Sequence, residues 1–579
     1  MEAKQQREAR ADVWPTWPSP GIPVSPDDWR RQAREAANPR PKPTAGATLA
    51  RSAVVIAVAF VLSRFLGLVR EVILANLFGT SAEYSAYVAA FRVPDLLFLV
   101  IMAGSFGAAF IPVFSGLLSS GRERDAWRLA SVVLNLAAIA LLVGASVAFV
   151  FAEPLVRYVV APGTSEEVQR IATECMRILL LSPLFLGLGI AAKGILEAQD
   201  RFTLPAFAPV VYNISTILGA VLLGPRIGVY GVAIGVAVGA LCHFLIQVPG
   251  LVQSRMRYTP SLALDTEGLG QVGRLLLPRL VGQAAFQLNF IVVTNLAWRS
   301  GEQSVSALNY AWQLLMLPHG VLALSISTVI FPTMARLYQA GNLAGLRETF
   351  GRALRPLLFL SLPAAVGLFF FRTAIVQTIF QNGAFSGAST ELVAAPLAWF
   401  AVGLVGYALV EVLARAFYAM HDTRTPVVIG IAIIVLNVAL GVSLIDRYGF
   451  AALAFALSLS TAVEALALLV ILRRRLGPAQ PQTWRWLAKV AVATVVMGGF
   501  SWFAAPVVTA ATVPGTANRL SQVALFVVAL GVAALVYFVA AWLLGIPELR
   551  QGIAQATRRL PLGRFRRPAI NDDEFWPGP

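Results

Sequence analysis

Long apolar stretches separated by short polar breaks fill the chain from about residue 49 to residue 546. A helix needs about 20 apolar residues to cross a bilayer, and runs of that length predict about 14 transmembrane helices. Their centres fall near residues 63, 100, 139, 183, 213, 241, 286, 320, 359, 404, 434, 460, 495 and 532. The pattern therefore predicts an all-α polytopic membrane protein.

Composition supports this class, since 57% of the 579 residues are hydrophobic and only 13% are charged. Two terminal segments differ from the rest. Residues 1–48 are rich in Pro, Arg and Ala, and we interpret them as a disordered, basic cytoplasmic tail. Residues 547–579 form a second basic cytoplasmic tail, which we expect to lie against lipid headgroups.

The distribution of arginine predicts the orientation of the chain. Alternate breaks carry Arg clusters at 122–128, 255–274, 347–355 and 473–475, whereas the breaks between them are short and poor in Arg. By the positive-inside rule both termini are cytoplasmic. The net charge of +16 then reflects topology. It does not indicate nucleic-acid binding, which would need a folded, soluble basic domain.

A weak internal repeat divides the apolar region. Phe110-Ile111-Pro112 is echoed by Ile330-Phe331-Pro332, and Tyr230-Gly231 by Tyr448-Gly449, in both cases about 220 residues later. We therefore predict two pseudo-symmetric six-helix lobes around a central cavity, as in transporters that rock two parallel repeats. The predicted parts are an N-lobe at 49–255 (helices 1–6), a C-lobe at 256–475 (helices 7–12) and two accessory C-terminal helices (13–14) at 476–546.

Two arginines lie inside the first predicted helix. Inserting a cation at the bilayer centre costs roughly 2.5 to 3.5 kcal/mol, so such a residue normally faces a partner or a water-filled cavity. Arg64 lies about 11 residues, or roughly 16 Å, into the apolar run. Gly67 could bend the helix and turn Arg64 and Arg70 into one cavity. We interpret this pair as an anion path. The alternatives are a structural ion pair with Glu71 or a snorkelling side chain.

No catalytic constellation or metal-site spacing occurs, and the two cysteines form no disulfide framework. Glu464, in an apolar run, is a candidate coupling-ion or proton site, with a structural role as the alternative. Lys193 and Glu197 are four residues apart and predict a structural pair. His319 is interpreted as a packed side chain.

Several motifs together resemble the MurJ/MviN lipid II flippase family of the multidrug/oligosaccharidyl-lipid/polysaccharide exporter superfamily. They are SRFLGLVRE at 63–71, FRVP at 91–94, PAFAP at 205–209 with Asn213, RAFYA at 415–419 and DTRTP at 422–426. The resemblance covers roughly residues 50–545. It implies two lobes of six helices, a central cavity, and a groove for a lipid tail formed by the two extra helices.

The activity that this resemblance implies is transport without catalysis or a cofactor. Undecaprenyl-diphosphate-linked peptidoglycan precursor would move by alternating access from the inner to the outer leaflet of the bacterial plasma membrane, for cell-wall synthesis. Coupling to membrane potential, sodium or protons stays open. Expected partners are lipid II, membrane lipids and cell-wall synthesis proteins. The candidate substrate-binding residues are Ser63, Arg64, Gly67, Arg70, Arg92 and Gln313.

This chain departs from the family where many members carry charged residues. The positions are Ser85, Phe98, Ala103, Val293 and Gln313. The departures leave open a flippase for another polyprenyl-linked glycan, of O-antigen or polysaccharide type. A cation-coupled drug exporter would have an acidic or apolar cavity, which Arg64 and Arg70 oppose. A non-transporting membrane scaffold would leave these buried charges unexplained.

Overall fold

A computed structural model describes residues 43–102, 106–478, 481–515 and 518–550. Every regular element among these residues is a helix. Most of both predicted tails lies outside the described residues, as does Ala103.

The helices are α1 Pro43–Phe78, α2 Ala82–Ala90, α3 Arg92–Ile101, α4 Phe106–Ser119, α5 Glu123–Val150, α6 Ala152–Leu155, α7 Glu166–Leu179, α8 Ser182–Glu197, α9 Thr203–Leu218, α10 Gly224–Ile227, α11 Val229–Leu245, α12 Val248–Gln253, α13 Leu269–Ala297, α14 Ser304–His319, α15 Ser325–Gln339, α16 Leu343–Phe370, α17 Arg372–Phe380, α18 Gly387–Ala419, α19 Arg424–Tyr448, α20 Ala451–Leu476, α21 Pro481–Ala511 and α22 Arg519–Leu543.

Twelve helical stretches in the described part of the chain are long and apolar enough to cross a membrane. Two further helices match the first and seventh predicted spans: α1 has 36 residues and α13 has 29. At 1.5 Å per residue each exceeds the roughly 30 Å of a hydrocarbon core. Both carry polar side chains within the apolar run. The all-α membrane class is confirmed, and the count of fourteen stays a prediction.

Polar breaks supply the residues that begin the next helix. The Ser81 hydroxyl accepts a hydrogen bond from the backbone N–H of Tyr84 at 3.2 Å, which caps α2. Asn342 caps α16 in the same way, through Gly345 N–H at 2.7 Å. Such caps satisfy N–H groups that have no partner within the helix.

The internal repeat is visible in the backbone of the turns. Asp200 and His421, which are 221 positions apart, both adopt a left-handed conformation with φ of 60° and 59°. Non-glycine residues rarely take this conformation. Gly121 and Gly341 form an equivalent pair, with φ of 72° and 69°. The two halves therefore have equivalent backbone conformations at these turns.

Each half packs mainly around its own long helices, α8, α9 and α11 in the first and α16, α18 and α20 in the second. The last two helices pack on each other and on α16. There the Tyr537 hydroxyl donates to the carbonyl of Phe359 at 2.7 Å.

The structural pair predicted for Lys193 and Glu197 is confirmed, with 3.7 Å between Nζ and Oε1.

The halves meet at the end that the arginine distribution predicts to be external. Thr80 Oγ1 and Ser389 Oγ are 2.9 Å apart, and Ala384 N–H donates to the carbonyl of Asn76 at 2.8 Å. The Trp298 indole N–H also donates to the carbonyl of Val160 at 2.9 Å. These bonds hold the two halves together at this end.

The predicted orientation can be tested at exposed positions. A cysteine at Ser300 or Gly387 should react with an impermeant thiol reagent added outside intact cells, whereas one at Ser120 should not. The unsubstituted chain provides the background, because Cys175 is buried and Cys242 is partly buried. External labelling at Ser120 would show that the orientation is reversed.

Candidate functional site

A cavity of about 240 Å³ lies between the halves of the described structure. Four elements contribute to it: the middle of α1, one residue of α9, the second half of α14 and the end of α17. The lining residues are Ser63, Arg64, Gly67, Leu68, Arg70, Glu71, Asn213, Gln313, Leu314, Met316, Leu317 and Phe380. Five of the six predicted substrate-binding residues therefore line one cavity.

Arg70 is held by two partners. Its Nη2 donates to Glu71 Oε1 at 2.6 Å, and its Nη1 donates to Asn213 Oδ1 at 3.3 Å. Asn213 is itself oriented by its amide, which donates to the carbonyls of Pro209 at 3.0 Å and Ser63 at 3.4 Å. The ion-pair alternative considered for these arginines thus applies to Arg70.

Glu71 connects the two halves across the cavity. Its Oε1, besides accepting from Arg70, accepts from Gln313 Nε2 at 3.3 Å. Its Oε2 is buried and has no hydrogen-bond partner among the described residues. An ionised carboxylate can accept several hydrogen bonds, so Glu71 retains capacity to bind a further donor in the cavity.

Arg64 has no such compensation. No carboxylate of the described residues lies within 4 Å of its side chain, and it forms no hydrogen bond with them. Its guanidinium lies 5.3 Å from the centroid of the Phe60 ring. On its other side it faces Gly320, where a Cβ atom would lie 3.6 Å from both terminal nitrogens. Arg64 is an exposed cation at the cavity wall.

Gly67 lies between the two arginines on α1. A Cβ at this position would meet no heavy atom within 4 Å, so the absent side chain leaves open space between Arg64 and Arg70. Arg64 and Arg70 both line the cavity, although α1 continues without interruption to Phe78.

Two predicted residues lie elsewhere. Arg92, at the start of α3, donates through Nε to Thr294 Oγ1 at 2.7 Å and lies 5.4 Å from the centroid of the Phe290 ring. It thus joins α3 to α13 and does not line the cavity. Glu464 faces α19 next to Gly430 and is also absent from the cavity wall. Their assigned roles stay predictions.

Most positions where the chain departs from the family are also outside the cavity. Ser85 is fully buried between the halves, Phe98 packs in the core of the first half, and Val293 is partly buried in the main core. Of the described departures only Gln313 lines the cavity. Three of the four departures that the structure describes therefore lie away from the cavity wall.

The cavity is closed on its predicted external side by a buried layer. The rings of Tyr84 and Tyr310 stack with their centroids 5.2 Å apart. Beside them Ser85 Oγ donates to Ser306 Oγ at 2.9 Å, and Ser306 N–H donates back to Ser85 Oγ at 3.2 Å. The two serines are 221 positions apart, so they are equivalent in the internal repeat and meet between the two halves.

Sequence reasoning did not identify the contacts of Asn213 and Phe380 with the cavity. Asn213 appeared only within a family motif, and it is 143 positions from the Arg70 that it binds. Phe380 lies at the end of the short helix α17, with no distinguishing pattern. The only available signal was the polar Asn213 in an otherwise apolar run.

An all-helical membrane bundle of two repeated halves, with a cationic cavity between them that is closed at one end, defines a membrane transporter. The profile of the lipid II flippase MurJ family matches residues 74–523. The chain therefore belongs to the lipid II flippase MurJ family.

Individual relatives agree with this assignment. The chain is 31% identical over 494 residues to the lipid II flippase MurJ of Burkholderia cenocepacia, a match that covers 84% of this chain and 95% of the relative. A solved structure of lipid II flippase MurJ in an inward closed conformation aligns with a TM-score of 0.71 at 24% identity, covering 84% of this chain and 98% of that one. An inward-facing MATE-family transporter of the MOP superfamily aligns with a TM-score of 0.61 at 17% identity, covering 73% and 98%. These structural likenesses support the fold.

The serine contact predicts a cross-link that stops transport. In a Ser85→Cys/Ser306→Cys variant the two sulfur atoms should be close enough to form a disulfide, because the native oxygens are 2.9 Å apart. Oxidation should abolish transport, and a reductant should restore it. Each single cysteine variant serves as the control. Normal transport by fully cross-linked protein would show that the halves need not separate here.

Proposed function

We propose that this protein is a lipid II flippase, which moves the undecaprenyl-diphosphate-linked peptidoglycan precursor from the inner to the outer leaflet of a bacterial plasma membrane. The observation that supports this function best is the uncompensated guanidinium of Arg64 in the cavity between the two halves. A permanent charge at this depth is costly unless water or an anion solvates it. A diphosphate headgroup supplies that anion.

The cavity suits a diphosphate chemically. Arginine presents planar, paired N–H donors that match phosphate oxygens, and it stays charged at physiological pH. Two cations and one carboxylate line the wall, so these groups give an excess of one positive charge. Arg64 can bind the diphosphate directly. Arg70 already donates to Glu71, so Glu71 and the diphosphate would share its N–H donors. The lipid tail would remain outside the cavity in the hydrocarbon.

Transport then requires the halves to separate on the predicted external side. One contact on this side involves a charge, because the backbone N–H of Ser165 donates to the Glu302 carboxylate at 3.0 Å. The other contacts that must break include two stacked phenol rings and hydrogen bonds between hydroxyl groups. Each such hydrogen bond contributes only about 0.5 to 1.5 kcal/mol, which favours a reversible closure.

In this proposal both termini are cytoplasmic, and cell-wall synthesis proteins receive the product. Glu464 is a candidate site for a coupling ion.

A flippase for another polyprenyl-linked glycan would use the same diphosphate chemistry. The two functions differ in the sugar and peptide that the cavity accepts, so a growth test separates them. Expression of this chain should restore growth of a bacterium depleted of its own lipid II flippase. Failure of the folded, membrane-inserted protein to do so would favour the alternative glycan.

Arg64→Ala should abolish this complementation and leave the protein folded in the membrane, because Arg64 makes no ion pair or hydrogen bond within the described structure. Loss of a charge-assisted contact of about 1.5 to 3 kcal/mol corresponds to roughly 10- to 100-fold weaker binding. Lipid II binding to purified protein measures this loss. Arg226→Ala, at an exposed site remote from the cavity, is the control and should bind normally. Normal complementation by Arg64→Ala would refute the anion contact.

Gln313→Arg should tighten lipid II binding and make transport more steeply dependent on membrane potential. The new guanidinium would pair with Glu71, which releases Arg70 for the ligand, and it adds a charge for the potential to move. Gln313→Leu is the control, since it removes the hydrogen bond to Glu71 without adding charge. Unchanged binding together with a flat voltage response would exclude residue 313 from the substrate path.

A further inference from the structure

Asn213 of α9 bonds two distant points of α1. It lines the cavity, and its side chain is buried, with 7% of the residue exposed. Its Oδ1 accepts from Arg70 Nη1 at 3.3 Å, and its Nδ2 donates to the carbonyl of Ser63 at 3.4 Å. Ser63 and Arg70 are seven positions apart in the sequence, which is about two turns of helix. One side chain therefore spans the α1 segment that lines the cavity.

The amide of Asn213 can form these bonds in one orientation only. Its nitrogen faces two carbonyl groups, that of Ser63 and that of Pro209, which lies one turn earlier on α9 at 3.0 Å. A carbonyl accepts hydrogen bonds, whereas a guanidinium only donates them. Exchanging the amide oxygen and nitrogen would set donor against donor at Arg70 and acceptor against acceptor at Ser63. The oxygen therefore faces Arg70.

Arg70 is consequently held at both of its terminal nitrogens. Nη2 donates to Glu71 Oε1 at 2.6 Å, and Nη1 donates to Asn213. A guanidinium has five N–H groups, so these two bonds leave three of them without a partner among the described residues. The two acceptors differ in charge. Glu71 offsets the charge of the guanidinium, whereas the amide of Asn213 orients the group and removes none of its charge.

The second half contains the same kind of contact with a neutral partner. By the repeat α19 corresponds to α9, since the two helices begin 221 positions apart, and α13 corresponds to α1. Asn437 of α19 donates through Nδ2 to Asn289 Oδ1 of α13 at 2.8 Å, and neither residue lines the cavity. An asparagine thus joins equivalent helices in both halves. Joining these helices does not require a cation, and the arginine is particular to the contact at the cavity.

We propose that Asn213 is a positioning residue for diphosphate binding: it holds the Arg70 guanidinium at the cavity wall and, being neutral, leaves its charge to the ligand. The inference rests on the proposed function. Ordering a long side chain before the ligand arrives lowers the entropic cost of binding. A carboxylate at this position would also hold Arg70, but it would reduce the excess of one positive charge among the lining residues to zero. A neutral acceptor meets both requirements.

The two arginines of the cavity then differ in how far they are ordered before the ligand binds. Arg64 forms no hydrogen bond within the described structure, so the ligand itself must order it, whereas Arg70 is ordered in advance. The other amide of the wall belongs to Gln313, and it donates to Glu71 Oε1 at 3.3 Å instead of accepting from an arginine. Asn213 is therefore the amide that orients a cation of the cavity.

The test is a double-mutant cycle on the affinity of lipid II for the full-length protein in nanodiscs of uncharged lipid. Asn213→Leu removes the amide at similar volume and should weaken binding roughly 2- to 10-fold, the range for one hydrogen bond. In an Arg70→Gln background, where the new amide can still donate to Glu71, the same substitution should cause no further loss. In an Arg64→Ala background the loss should persist, because Arg70 is then the remaining cation of the wall.

Asn213→Asp keeps the shape of the side chain and adds a charge, so it tests the inference even if the leucine variant does not fold. It should bind lipid II more weakly than the wild-type protein. The matched control is Asn437→Leu, which removes the equivalent amide contact outside the cavity and should leave the affinity unchanged. Equal losses from Asn213→Leu with and without Arg70 would overturn the inference, as would unchanged or tighter binding by Asn213→Asp.

A second ligand separates this inference from the proposed function. If a polyprenyl-diphosphate diester with another glycan shows the coupling between Asn213 and Arg70 while lipid II does not bind, the positioning role is supported and the lipid II assignment is wrong. If lipid II is bound and transported, and Asn213→Leu binds it as tightly as the wild-type protein, the assignment is supported and the positioning role is wrong.

Discussion

The structure depends on keeping a guanidinium solvated inside hydrocarbon. Arginine cannot discharge by losing a proton, so Arg64 and Arg70 must face a partner or water wherever α1 crosses the membrane. Arg70 is satisfied by Glu71 and Asn213, one on each side. Arg64 is satisfied by neither. A cavity is therefore a requirement of this helix, and the two repeated halves provide its walls.

The closure of that cavity follows from the repeat. Ser85 and Ser306 occupy equivalent positions in the two halves, and equivalent positions meet where a pseudo-two-fold axis passes through the interface. Small hydroxyl groups suit such a point, because each can donate to and accept from its counterpart. A carboxylate at either position would be buried opposite a neutral hydroxyl group, and that burial would be costly. The absence of charge at Ser85 is consistent with a tight but reversible contact.

Sequence patterns predicted the structural features that depend on residues close together in the chain. Apolar run lengths identified the membrane class, turn motifs identified the repeat, and two arginines within an apolar run identified one wall of the cavity. Side-chain partners distant in sequence were not predictable, because helical periodicity specifies a face of a helix but not the neighbour that covers it. Arg92 shows this clearly. It lies against Phe290 and Thr294 on α13, and Thr294 is 202 positions away in the sequence.

The charge balance of the cavity links its residues to the direction of transport under the proposed function. With Arg64, Arg70 and Glu71 the empty cavity carries one excess positive charge, and an inside-negative potential draws it inward. A bound, doubly charged diphosphate reverses the sign, so the same potential drives the loaded cavity outward. Each charge contributes about 2.3 kcal/mol per 100 mV if it crosses the full field.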